Sequence, residues 1–391
     1  MPCLMAVMAV MAACAAPGAS SPTATPGAPS PTVPSPTPSP ISEDDLGTRI
    51  RVLATGWRPE VQTAVVAVTE GQQMRFVAVP ITGGGSAVPL VEFTNTYSWQ
   101  LRQDGGAIAV SFLNASRSSS RIAVWDVVTG SARWLTPDQA GVFDDGPAWT
   151  PDGSTIYYGE HSATATTFTD RGIFRISLDG GVPLRVHGPD ANGGSPVRLT
   201  ADGRWLIWTR NQAGGSTDVL DLATGENRSF DVTGTSGEIA WRAARPRALV
   251  MSGGCCAGRP GGQLILWDDI GGGTREILGA GAAPLVFAGA ADWDPTGTRI
   301  AATVFERTLV DRSVHDGPFY VAIFEPTGSL TTKVPGSEGF VVIAWLADGI
   351  LARRSTTEQA SEVALLSENG NDRRVLYQMT GTMRFAAIVS P

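Results

Sequence analysis

The chain has 391 residues, a net charge of −8 and four cysteines. The basic excess that would hold nucleic acid is missing, and no run approaches the roughly 18–20 apolar residues of a membrane helix. Gly 46 and Pro 27 make 73 of 391 residues, about 19% against roughly 12% in average usage, which argues against a helical bundle because both residues weaken helix interiors.

Residues 1–13 (MPCLMAVMAVMAA) are apolar, short and end in small side chains, the pattern of a signal peptide. Met11-Ala12-Ala13-Cys14 resembles a bacterial lipobox, which implies lipidation at Cys14 and an extracytoplasmic protein anchored to the cell envelope. Soluble secretion after cleavage near Ala13 or Ala16 is the alternative. Residues 14–40 read as a linker, with nine prolines between Ala15 and Pro40 and mostly Ser, Thr, Ala and Gly besides. Such a segment buries no apolar surface and stays disordered or polyproline-like.

Residues 41–391 are expected to fold as a repeat array. One set of copies is WQLRQDGGAIAV (99–110), PAWTPDGSTIYY (147–158), VRLTADGRWLIW (197–208), IAWRAARPRALV (239–250), ADWDPTGTRIAA (291–302) and IAWLADGILARR (343–354). Aligned on the turn, Leu101, Trp149, Leu199, Trp241, Trp293 and Trp345 form a column spaced by 48, 50, 42, 52 and 52 residues. In the second copy Pro151 presets φ, Asp152 can bond its own backbone and Gly153 supplies φ > 0, a hairpin signal. Between these lie seven further hairpins, turning at Gly83, Gly130, Gly180, Gly225, Gly271, Gly328 and Gly370. Each repeat therefore holds four short strands, A to D, and four strands at this period suggest a propeller blade.

The PAWTPDGSTIYY run followed by an apolar strand and a T-G turn resembles the WD40-like repeat of TolB-type β-propellers. The resemblance implies a seven-bladed, all-β propeller of four-stranded antiparallel blades. The inner strand of blade 1 has two claimants. RFAAIVSP (384–391), with Val389 in the Trp149 column, would close the ring from the C-terminus and is favoured; Gly56-Trp57-Arg58-Pro59-Glu60 is the other. Neither the α/β domain that precedes TolB propellers nor the α/β-hydrolase domain that follows those of prolyl-oligopeptidase-type peptidases is expected here.

Ser355-Thr356-Thr357-Glu358 is a capping-box signature, but the register of the neighbouring repeats favours a B–C loop followed by a strand at Val363–Leu366. The tryptophans read as packing between blades. Asp144-Asp145 and Asp268-Asp269 could be Ca²⁺ ligands, although strand ends explain them as well. No nucleophile, metal or phosphate motif is present, so no catalytic residue, metal or cofactor is assigned. Long B–C loops are expected at 113–120, 159–171, 252–262 and 305–318. They would place His161, Phe168, Arg171, Arg259, Arg307, Asp311, Arg312, His315 and Asp316 on one binding face.

Once the leader is removed, Cys255 and Cys256 are the remaining pair apart from Cys14. Export favours a vicinal disulfide stiffening their glycine-rich loop, with a reduced pair and an intermolecular bridge as alternatives. The expectation is a lipid-anchored, non-catalytic monomer that binds a protein, peptide or envelope component and no nucleic acid. Two alternatives are a propeller hydrolase or lyase acting on glycans through carboxylates or a His at the channel mouth, and a stalked spacer.

Overall fold

The computed structural model describes residues 46–163, 168–189, 194–210, 216–230, 240–242, 245–253, 263–267, 275–278, 285–310, 313–327, 329–357 and 360–391. Within them lie thirty β-strands and no helix. Thr63–Glu70, Gln73–Pro80 and Val88–Thr94 run antiparallel in sequence order. Ile50–Val52 adds outside Val88–Thr94, and Thr382–Val389 pairs with Thr63–Glu70 on the opposite edge, so this first sheet takes strands from both ends of the chain. Two four-stranded meanders, 96–134 and 142–187, join into one eight-stranded sheet through a single parallel bridge between Ser120 and Phe143. Four-stranded sheets follow over 194–230, 240–278 and 341–380, and a five-stranded one over 285–333. The fold is an all-β propeller, the class that the repeats imply.

The inner strands are short apolar runs where both faces of a sheet are covered. Along Thr63–Glu70 the alternation shows directly. Val65 and Ala67 pack into a cluster with Ile108, Phe112 and Trp125 on one side, while Ala64, Val66 and Val68 pack with Ile343, Leu351 and Val363 on the other. The turn column is buried where its side chains are described: Leu101, Trp149, Leu199, Trp293 and Trp345 all sit in the core. At the 150–155 turn, Gly153 has φ +68° and its N–H donates to Thr150 O at 2.9 Å. Asp152 Oδ1 accepts from Ser154 N at 3.0 Å, so local chemistry sets the hairpin.

Two loop expectations need correction. The 159–171 and 305–318 segments are largely strand. Thr155–Ala163 and Phe168–Ser177 pair through His161 and Asp170, and Ile300–Val310 continues past the sheet to pair with Ser313–Asp316. β-branched and apolar residues (Thr308, Leu309, Val310, Val314) fit a pleated pair better than a solvated loop. The 355–357 segment is also strand, continuous with Gly349 and paired with Ala360–Leu366, so sheet register overrides the capping signature. Gly56–Glu60 forms no strand; Trp57 packs half-buried against the first cluster, beside Gly105 and Val389. The leader, the linker, Cys14, Cys255 and Cys256 lie outside the described residues.

Candidate functional site

A cluster of buried ionisable side chains lies at one end of the 142–187 meander. Strand Val142–Trp149 carries Asp144 and Asp145, both buried. In the neighbouring strand Glu160 pairs with Asp144 and His161 with Phe143; on the far side His161 pairs with Asp170, just after a register shift. Successive side chains of a strand point to opposite faces. Asp144 and Asp145, adjacent in sequence, therefore serve two different clusters. Among the described residues no group of three or more His, Cys, Asp or Glu could hold a metal ion.

On one face His161, fully buried, lies between two carboxylates: Nε2 meets Asp145 Oδ1 at 3.3 Å and Nδ1 meets Asp170 Oδ1 at 3.2 Å. Burial opposes the charge on His161, but hydrogen bonds and charges from Asp145 and Asp170 outweigh it and push the pKa up to about 9. The imidazolium is thus the neutral-pH form.

On the other face, Arg171 Nη1 pairs with Glu160 Oε1 at 3.0 Å, and Arg171 itself is 42% exposed. Burial raises the Glu160 pKa, while the charges of Arg171 and His161 limit the rise. Asp144 is pushed up to about 8, first by burial and then by Glu160 and Asp145, against a hydrogen bond from Thr136. Among the described residues its Oδ1 has no hydrogen-bond partner, and neither does the buried Tyr158 hydroxyl, whose pKa is raised by burial and by Asp144 and Glu160. The backbone here is held from the preceding meander: Ser120 Oγ donates to Asp144 O at 2.9 Å and Gly146 N donates to Ser98 Oγ at 2.9 Å. The face thus carries a neutral carboxylic acid and a second carboxylate held by an arginine whose side chain reaches solvent. Such a set can give up one proton and accept another.

Of the residues expected on a binding face, His161 and Arg171 come to this end of the meander, on opposite faces of it. Phe168 opens the strand Phe168–Ser177. Arg307, His315 and Asp316 come together on the separate hairpin of the 285–333 sheet, where Arg307 grips Asp316 with Nε at 2.7 Å and Nη2 at 3.0 Å. Arg259, Asp311 and Arg312 lie outside the described residues. Glu160, Asp170 and Ser195 escaped the sequence reading. The signal available for the first two was strand continuation past Gly159, which makes their alternation with His161 meaningful.

No family model and no curated protein matches the sequence. Among solved structures, a prolyl endopeptidase matches at TM-score 0.54 and 13% identity, over 83% of this chain and 50% of that one. A puromycin-hydrolyzing peptidase of Mycobacterium tuberculosis matches at TM-score 0.53 and 14% identity, over 84% and 57%. TolB from Acinetobacter baumannii matches at TM-score 0.39 and 15% identity, over 83% and 82%. The chain spans only about half the length of the two peptidases. At these identities the likeness establishes the fold. The expectation of a non-catalytic binding protein or scaffold, and of no enzyme, is corrected to this extent: the solved folds matching above a TM-score of 0.5 are those of peptidases, so the fold gives no ground for excluding an enzyme.

Proposed function

We propose that this chain is a hydrolase of amide bonds in peptide-like substrates, working at the Asp144–Glu160–Arg171 face. The carrying observation is the difference between two carboxyl groups on that face. Burial pushes the Asp144 pKa up to about 8, so it holds its proton at neutral pH, whereas Glu160 is ion-paired to Arg171 at 3.0 Å, which opposes the rise that burial causes. Glu160 would take a proton from water as its oxygen bonds to the carbonyl carbon. Asp144 would give its proton to the leaving nitrogen as the C–N bond breaks, and the proton on Glu160 then restores Asp144 through solvent. Arg171 would face the developing oxyanion. The peptidase likeness supports an amide over the glycosidic bond that the same pair of acids could also serve.

The test is hydrolysis of aminoacyl and dipeptidyl p-nitroanilides beside p-nitrophenyl glycosides. Amide cleavage is expected, falling at least a hundredfold in both Asp144→Asn and Glu160→Gln, within the ~10²–10⁴ of general acid–base catalysis. No amide cleavage by folded protein, or full rates in both variants, overturns the reading; glycoside cleavage alone transfers the site to the glycan reading.

We further read the sheets as seven blades, the eight-stranded sheet counting as two, with Thr382–Val389 as the inner strand that closes the first. The sheet order supports this. Envelope anchoring stays a proposal: Cys14→Ala should move the protein from the membrane to the soluble fraction, and unchanged membrane retention would refute the lipid anchor.

A further inference from the structure

A cleft of about 470 Å³ opens at the seam between the first and last sheets. Its walls are Val68, Glu70 and Arg75, from the hairpin joining Thr63–Glu70 to Gln73–Pro80, and the Tyr377 to Thr380 stretch of the strand Arg373–Thr380. The volume falls in the roughly 300–1,000 Å³ range of small-ligand sites.

Charge singles this cleft out. Glu70 has no ion pair or side-chain hydrogen bond among the described residues. Arg75 gives Nε to Glu92 at 2.7 Å and Nη2 to the same carboxylate at 2.5 Å, which leaves Nη1 uncommitted. Glu92 also takes Arg51 Nη1 at 3.2 Å, so Arg51, Arg75 and Glu92 together keep one positive charge. The cleft therefore presents one bare carboxylate and one surplus positive charge. Arg75 pairs with Val68, two residues from Glu70, so Glu70 and Arg75 share a face of the hairpin. They are offset by about 7 Å along the strand. Tyr377, Gln378 and Thr380 face them with neutral donors and acceptors.

We propose that this cleft binds a short zwitterionic peptide of two or three residues, its free amino group on Glu70 and its free carboxylate on the Nη1 edge of Arg75. Two to three residues span roughly 7–11 Å, which matches the offset once the side chains reach in. The facing hydroxyls and amide suit the peptide groups between the two ends. A neutral sugar would leave both charges unanswered, and a phosphate would meet the bare Glu70. The inference does not rest on hydrolysis, because it is read by binding alone and on a different sheet.

The experiment is calorimetric titration of the full chain with trialanine and with N-acetyl-trialanine amide, repeated in the Glu160→Gln chain so that turnover contributes no heat. Trialanine should bind saturably. The capped peptide should bind at least tenfold more weakly, and Glu70→Gln should weaken trialanine at least tenfold without moving the melting temperature, because Glu70 is exposed and has no described partner. The proposal is overturned by any of three results: no heat with trialanine at millimolar concentration, equal affinity for the capped peptide, or unchanged affinity in Glu70→Gln. Failure of amide cleavage would leave all of these titrations in force.

Discussion

Ser195 Oγ donates to Asp145 Oδ1 at 2.7 Å, onto the same carboxylate oxygen that His161 Nε2 meets at 3.3 Å. Ser195 belongs to the strand Gly194–Leu199, so a side chain of one sheet completes an ion pair built in its neighbour. Glycine makes the approach possible: a Cβ on Gly159 would stand 2.6 Å from Gly194 O and 2.9 Å from Asp145 Oδ1. The buried imidazolium is thus held by two strands of its own sheet and braced from the next one.

Removing one partner of a buried ion pair strands the other charge, at a cost of about 3–5 kcal/mol. His161→Gln should therefore lose that order of stability at pH 6. The sign of the pH effect follows from the raised His161 pKa. Its contribution is complete below the unfolded value of 6.5 and fades as pH rises through about 9. Denaturant unfolding of both proteins from pH 6 to 10 checks this: the gap between them should narrow steadily, and a gap constant with pH would contradict the assignment of the proton to His161.

Asp144 predicts a separate pH effect. Its folded pKa is raised to about 8 from 3.8, so its contribution is complete below 3.8 and is lost as pH rises through 8, when a buried carboxyl must ionise. Asp144→Asn keeps the neutral shape without the titration. At pH 9 the variant should melt above the wild type, and near pH 4 the two should differ little. A variant less stable at both pH values would mean that Asp144 is already ionised in the fold.

The legible parts of the sequence were those written in local chemistry. Trp149-Thr150-Pro151-Asp152-Gly153 states its own turn, and Leu101, Leu199, Trp293 and Trp345 repeat it at blade spacing, so the fold class follows from chain order. The polar cluster is different, because it depends on which residues share a face. Asp144-Asp145 reads as one acidic pair until strand register separates the two, Asp144 going with Glu160 and Asp145 with His161 and Ser195. Ser195 lies fifty residues from its partner, and no pattern within either segment announces the contact. Arg307 and Asp316 were legible as residues of one region but not as partners, since the pairing that joins them comes from continued strand rather than loop.

The close approach beside this cluster gives a packing test. A Cβ at Gly194 would lie 2.3 Å from the ring of the buried Trp208 and 2.6 Å from Thr209 O. Gly194→Ala should lose about 1–3 kcal/mol through overpacking. Gly188→Ala, with nothing within 4 Å and no positive φ, should stay within about 0.5 kcal/mol. Equal melting temperatures for the two variants would show that Trp208 can move aside.

The pairing of Thr382–Val389 with Thr63–Glu70 leads to the last test, which asks whether the C-terminal strand is structural or merely an added edge. Val389 is 1% exposed and packs in the cluster with Leu101, Ile108 and Trp125, while Met383 joins the opposite cluster with Val66 and Leu365. The strand therefore contributes to the apolar packing on both faces of the first sheet. An unpaired charge in such a place is not solvated, and the edge uncovered by losing the strand would expose the free N–H and C=O groups of Thr63–Glu70. Val389→Asp should lower the melting temperature steeply or cause aggregation. Val52→Asp, at 38% exposure on the outer strand of the same sheet, should change stability by no more than about 0.5 kcal/mol. Deletion of residues 382–391 should reproduce the Val389→Asp result. Wild-type melting in the deletion would mean that the first sheet stands without its C-terminal strand, and that Trp57 and the neighbouring sheets suffice to cover Thr63–Glu70.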